Sequence, residues 1–487
     1  MKQGPWLFYL ILVAGIQMVG LERPANAQTP GFVSSLLGKP VDWNGSPSDL
    51  FSANLNFPTR YPDLSNEPWM RLDPSDPSQR NAYFQAVLAY GLSSFVSDIS
   101  GACPRTSPEW FHVPWLTFSV GNTSADLAAG KIGSGREPIC GLTQERPAPI
   151  GFLHAKQTRR VQSWAVGSMN QVGGYLLGRV WRDRSATDIS ETTFPRGTFV
   201  VKFLFTEATT VEVPYLVGAP EWDANVYRVV DGSTRETKRM RLVQIDFSIR
   251  DPRFDAQTGW VFGTFMFFND SGSPPRDWTT KLVPVGLMWG NDPGQTSRPH
   301  FREQVLEPSV MALRDQGQVF DLSKRTTFGW LDRVNGPLDN PVSSCLSCHA
   351  TAQVHKLRII KHFLTPTLQP GQNTDPNRML WFRNIPPGTP FTFSATELAL
   401  IDQGRPSLVR EDWTSALMAD FVSTDYSLQL RMAIENARFH ALQGAPNVLD
   451  SLIPPTKERL PTGGARERLF EDFRREAERI ERSGELE

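Results

Sequence analysis

The chain has 487 residues, 40% hydrophobic and 21% charged, with 50 Lys and Arg against 51 Asp and Glu for a formal net charge of −1. That balance is too apolar for a disordered chain and too polar for a multispan membrane protein. A charge this near zero gives no bulk electrostatic reason to expect nucleic acid or anionic lipid as a partner.

The first residues read as an export signal. Lys2 supplies a positive start, Trp6 to Gly20 is apolar except for Gln17, and Ala25-Asn26-Ala27 offers a cleavage site before Gln28. The alternative is an uncleaved anchor, for which the stretch is short against ~30 Å of hydrocarbon. Cleavage after residue 27 predicts a mature periplasmic protein without a membrane span, with secretion or a tether as the alternatives. Paired cysteines persist in such a compartment.

Residues 28–70 read as an irregular lead-in. Asp76-Pro77 is an N-cap followed by Pro at the first helical position, and Phe84, Val87, Leu88 and Gly91 recur at helical spacing, which predicts a helix over 77–96. Pro and Gly from Cys103 to Gly151 predict loop. Thr198–Phe205, Arg241–Ile249 and Gly259–Phe268 are short runs of β-branched and aromatic residues and read as strands. In the second, Leu242, Gln244, Asp246 and Ser248 alternate with Val243, Ile245, Phe247 and Ile249, predicting one buried and one wet face. Lys281–Trp289 is a further strand, with Pro284 placing it at an edge or a bulge. The expected body, residues 28–335, is therefore an antiparallel sandwich or distorted barrel. Helical signals return after Pro341: a capping box at Ser394-Ala395-Thr396-Glu397, an apolar stripe from Leu430 to Ala441 that stops at Gly444, and a charged helical tail over 451–487.

One motif carries chemistry. Cys345-Leu346-Ser347-Cys348-His349 is C-x-x-C-H, whose chance occurrence at this chain's Cys and His frequencies is about one in two thousand. On one helical turn the two sulfurs share a face, where each can add to a haem vinyl group, and the next residue points its imidazole at the iron. Thioether bonds prevent loss by dissociation, which suits an exported protein. The alternatives are a thioredoxin-type redox pair, half of a zinc site with His355 or His362, and a structural disulfide.

The run Pro341–Ala350 resembles the haem-attachment helix of bacterial mono-haem c-type cytochrome domains. Met379–Pro386 and Asp425–Leu430 resemble segments downstream of that motif in large exported bacterial cytochrome c family proteins. The resemblance spans 336–445 and departs from a small soluble cytochrome in the long stretch between Phe391 and Phe421. It implies a mostly α-helical cytochrome c domain over 336–450, which with the β-rich N-terminal body makes the expected fold class α+β.

A His/Met iron carries electrons, whereas an open distal side binds or activates small molecules. Among Met379, Met418, Met432, His355, His362 and His440, the expected second ligand is Met379, which follows the Gln369–Asn377 loop and precedes Trp381-Phe382; a packing Met is the alternative. Cys103 and Cys140 are expected to pair. Trp110, His112, Trp115, Arg136, Glu137 and His154 form either a substrate cluster or scattered surface and satisfied core groups. The expected function is electron transfer through one covalent haem c, held by Cys345, Cys348, His349 and Met379, to a redox partner protein or a small-molecule donor or acceptor. The competing readings are a haem oxidoreductase whose β-rich body binds substrate, and an open-site small-molecule binder.

Overall fold

The computed structural model describes residues 50–444 except 52, 97–98, 100–102, 115–135, 138, 183–186, 228–234, 357–375 and 403–418. The expected signal and the charged tail lie outside the described residues, as do Trp115, His362 and Met418. No helix among the described residues is long and apolar enough to cross a membrane.

Alternating aromatic and β-branched residues favour extended backbone that buries one face, and the predicted strands form where that pattern is strongest. The sheet has eight antiparallel strands: β1 (Thr143–Gln144), β2 (Ser163–Met169), β3 (Phe199–Thr206), β4 (Glu221–Tyr227), β5 (Arg235–Arg250), β6 (Trp260–Phe267), β7 (Leu282–Met288) and β8 (Gln304–Leu306). Their order is β1-β2-β3-β5-β6-β7-β8, with β4 paired to the first half of β5. The β6–β7 register shifts between Thr264 and Phe265, which pair with Gly286 and Pro284. Pro284 thus sits at a bulge, where its missing N–H costs no ladder bond.

One face is a dry aromatic layer. Phe199, Val201 and Phe203 of β3 lie beside Ile249, Phe247 and Ile245 of β5 and pack under α1 (Pro68–Arg71) and α2 (Arg80–Leu92). Phe199 meets Trp69, Tyr90 and Trp110 at ring-centroid distances of 5.2, 4.9 and 5.9 Å, and Phe84 meets Phe265 at 5.5 Å. The helix predicted over 77–96 is shorter at both ends. Asp76 spends its carboxylate on a turn, accepting from Ser78 N at 2.8 Å and Gln79 Nε2 at 2.8 Å, so helix begins only at Arg80.

The opposite face overturns part of the predicted fold class. Gln244 and Ser248 were expected to be wet, yet both are buried and only Asp246 of the polar set stays half-exposed. The cover comes from residues 334–349: Leu338 N donates to Gln244 Oε1 at 2.8 Å, and Gln244 Nε2 donates to Asp339 Oδ2 at 3.1 Å. The first turn of α7 (Leu428–Gly444) adds to it, because a side chain at Gly167 of β2 would strike Gln429. The body is thus one open sheet with a non-sheet layer on each face, neither a sandwich of two sheets nor a closed barrel. Nor does a mostly α-helical cytochrome c domain follow it among the described residues. Beyond α3 (Gln171–Val180) and α4 (Pro308–Asp315), the C-terminal region contains the five-residue α5 (Cys345–His349), a two-stranded sheet of β9 (Gln353–His355) and β10 (Phe421–Ser423), and the helices α6 (Ala395–Asp402) and α7. The physical reason is that the motif helix packs on the large sheet, with His349 against Phe262 of β6 at 4.8 Å between ring centroids, so the sheet stands where helices would otherwise wrap the motif. The capping box at α6 forms as expected: Ser394 N donates to Glu397 Oε2 at 2.7 Å and Glu397 N donates to Ser394 Oγ at 3.2 Å.

Cys103 and Cys140 are bridged, with Cα atoms 5.1 Å apart and 37 residues of separation. A loop of that length closed in the unfolded chain corresponds to about 4 kcal/mol of stabilisation in the chain-entropy picture.

Candidate haem attachment site

The helix carrying the motif starts where it does because Ser344 caps it. Ser347 N donates to Ser344 Oγ at 3.0 Å, and Ser344 N donates to Ser347 Oγ at 2.8 Å. Ser344 Oγ in turn donates to Asn291 Oδ1 at 2.9 Å, and Cys345 N donates to Val334 O at 3.1 Å, which pins the first turn to the cover segment. The incoming backbone is held by Arg325, a buried guanidinium that donates to the carbonyls of Thr327, Phe328 and Gly336 at 2.9, 2.8 and 3.1 Å.

This short helix divides its residues by face. Leu346, Ser347 and Ala350 point inward and are buried, while Cys345, Cys348 and His349 are half-buried on the other side. Both thiols are free. His349 Nδ1 lies 2.8 Å from Tyr426 O. A carbonyl oxygen only accepts, so Nδ1 carries the proton and the lone pair sits on Nε2. Burial holds the imidazole pKa down to about 4, which keeps the ring neutral and able to ligate at pH 7. Phe262 of β6 packs against the imidazole at 4.8 Å between centroids.

The same three side chains test the alternatives for the motif. Burial first, then the Asp339 carboxylate, pushes the Cys345 thiol well above its ordinary value and the Cys348 thiol up to about 12. A redox-active C-x-x-C needs the opposite shift, toward thiolate. A zinc site needs four close ligands; of the two histidines considered for it, His355 is buried on β9 against Phe421 and His362 lies outside the described residues. Two free thiols on one half-open face and a neutral imidazole with Nε2 free fit a covalently attached haem.

Facing the motif, the sheet presents a polar row. Lys202 of β3, Asp246 of β5 and Thr264 of β6 are direct cross-strand neighbours. Lys202 Nζ pairs with Glu145 at 2.9 Å. Asp246 Oδ1 accepts from Thr264 Oγ1 at 2.6 Å and from Gln244 Nε2 at 2.9 Å. Burial, then the Asp339 carboxylate, pushes the Asp246 pKa up to about 8, against the pull of Lys202. For Lys202, burial works downward, but the carboxylates of Glu145, Asp246 and Asp339 outweigh it and hold the ammonium above the usual lysine value. The fold thus places an acid that is protonated over much of the neutral range beside a cation. A carboxyl whose folded pKa lies above its unfolded value keeps its proton in the folded state while the unfolded chain loses it, so stability falls as pH rises from about 4 to about 8. Urea unfolding of haem-free protein is expected to show Asp246→Asn more stable than wild type at pH 8 and indistinguishable from it near pH 4; equal stabilities at pH 8 would refute the shift.

The structure brings Cys345, Cys348 and His349 together and places Met379 on another element, the 3-10 helix Pro376–Trp381, half-buried against the core. That helix is tied to the motif segment by Arg378 NH1, which donates to Val342 O at 3.5 Å. His355 is buried on β9 with its ring edge-on to Phe421, and Met432 is half-buried in α7. Around His112 the described polar contacts are made within the fold. His112 Nδ1 accepts from Asn54 N at 3.0 Å and Nε2 meets Thr106 Oγ1 at 3.1 Å, while Arg136 donates to the carbonyls of Gly141 and Val113. His154 stands elsewhere, bridged to Phe320 and beside Tyr215. Sequence reasoning missed Lys202, Asp246, Asp339 and the Tyr426 carbonyl. A lysine inside TFVVKFLF was the one available signal.

Comparison with protein-family models, with curated proteins and with solved structures finds no match to this chain.

Proposed function

We propose that the chain is an exported mono-haem c-type redox protein that transfers electrons through a haem attached at Cys345 and Cys348 and ligated by His349. The observation that carries this reading is the half-open face of α5, where both free thiols and the imidazole with its Nε2 lone pair stand together. Such a haem supplies a one-electron ferric/ferrous couple. The chain's own residues do the rest. Ser344 and Asn291 hold the helix start, the Tyr426 carbonyl fixes the imidazole, and Met379 is the second ligand in the electron-carrier form. A redox partner protein or a small-molecule donor or acceptor in the periplasm completes the transfer.

A second reading is favoured by the row Lys202–Asp246–Thr264: a haem oxidoreductase whose β-rich body binds a substrate and exchanges protons with it. A body of about 300 residues far exceeds the needs of a small carrier.

Oxidised and reduced spectra, with and without added ligands, separate the two. The carrier form is expected to show a Met–iron charge-transfer band that disappears in Met379→Ala, and no ligand binding to wild type. A high-spin ferric spectrum that changes on adding ligand would remove Met379 and leave the oxidoreductase.

A further inference from the structure

The carbonyl that receives His349 Nδ1–H belongs to an unusual turn. Asp425 and Tyr426 are consecutive non-glycine residues with φ of 50° and 64°. Side chains disfavour this left-handed region, and residues held there persist only when the surroundings over-determine them. Here the surroundings are built from three separate segments. Asp425 is fully buried. Its Oδ2 accepts from Phe194 N at 2.8 Å and its Oδ1 from Gly388 N at 3.1 Å. The Tyr426 hydroxyl donates to Ile385 O at 2.7 Å. Thr424 N donates to Ala352 O at 2.9 Å, which ties the turn to the chain leaving α5.

A glycine pair would reach these backbone angles without strain. Instead the turn carries two side chains, and each anchors it to backbone outside the turn. The Tyr426 carbonyl then points at Nδ1 of His349, leaving Nε2 as the nitrogen that would ligate a haem iron. The hydrogen bond on that nitrogen fixes the tautomer and ring plane of a ligating histidine and raises its basicity.

Resting on the haem reading above, we propose that Asp425 is a positioning residue: by clamping the left-handed turn to Phe194 and Gly388, it aims the Tyr426 carbonyl at His349 Nδ1 and so tunes the axial ligand. Its role is indirect, exerted through the Tyr426 carbonyl. A merely structural Asp425 would contribute to global stability and leave the Nδ1 proton as protected as the rest of the fold.

The test uses full-length protein carrying covalent haem, in the ferrous state, with the His349 Nδ1 proton followed by NMR. In Asp425→Ala we expect that proton to exchange with solvent about tenfold faster while the β5 backbone amides keep their wild-type rates, and covalent haem content to stay unchanged. We also expect the reduction potential to rise, because a weaker hydrogen bond makes a less donating ligand. Asp425→Asn, which keeps the size and one acceptor oxygen, moves the same way by less and carries the test if the alanine variant does not fold. A wild-type Nδ1 exchange rate in folded Asp425→Ala or Asp425→Asn overturns the assignment. So does a Nδ1 rate that rises only in step with the β5 amides. Wild-type protein without covalent haem would overturn the haem reading itself and this assignment with it, whereas the preceding two outcomes leave the haem reading standing.

Discussion

In protein made with a cytochrome c maturation system, His349→Ala is expected to lose the low-spin haem spectrum while both thioether bonds still form. On the proposed reading the two functions reside in different side chains. Attachment needs the sulfurs of Cys345 and Cys348, which are free and lie with His349 on the half-open side of α5. Ligation needs Nε2 of His349, freed by the hydrogen bond from Nδ1 to Tyr426 O. His355 is the nearest histidine in sequence, but it is buried on β9 against Phe421, turned into the core of the C-terminal region. It is therefore a poor substitute. Added imidazole should restore the low-spin spectrum by entering the space the side chain vacates. A wild-type spectrum in His349→Ala without added imidazole would remove His349 as the ligand.

Phe199→Ala is expected to cost about 3–5 kcal/mol of folding stability, the range for a buried Phe reduced to Ala. Phe199 is fully buried and joins the two layers. Its ring meets Trp69, Tyr90 and Trp110 from the helical side and Phe247 at 6.3 Å within the sheet. Gly91 of α2 lies directly above Phe199 and Val201, so the cavity left by the substitution is walled by packed helix and sheet and has little chance to collapse. Urea unfolding should show a lower midpoint with an unchanged slope. A loss below about 1 kcal/mol would mean that α1 and α2 are not held by this aromatic layer.

The parts of the fold that follow from local chemistry were readable in the residues. β3, β5, β6 and β7 form where aromatic and β-branched residues alternate, and the Ser394–Glu397 capping box and the helix ending at Gly444 form where those signals stand. The motif residues likewise come together as their spacing demands. What alternation could not reveal was the cover on the second face. Gln244 and Asp246 look like solvent-facing positions because polar side chains on a strand usually are; here they are polar because Leu338, Asp339 and each other supply their hydrogen-bond partners. Those partners lie about a hundred residues away in sequence, and the segment holding them, 334–344, is irregular backbone held by Arg325 at the carbonyls of Gly336 and Pro337 rather than by periodicity. The expected mostly α-helical domain failed for the same reason. A five-residue helix with a strong motif says which atoms it presents and nothing about what packs behind it. The left-handed Asp425-Tyr426 turn was equally hidden, since no glycine marks it.

Covalent attachment itself is the most direct measurement. Full-length protein matured with the cytochrome c machinery, then denatured and acid-treated, should retain peroxidase-active staining on a gel. Mass spectrometry should place one haem on the peptide containing Cys345 and Cys348, and Cys345→Ser/Cys348→Ser should abolish both signals. Wild-type protein that matures alongside a working control cytochrome yet carries no haem on that peptide would contradict the account.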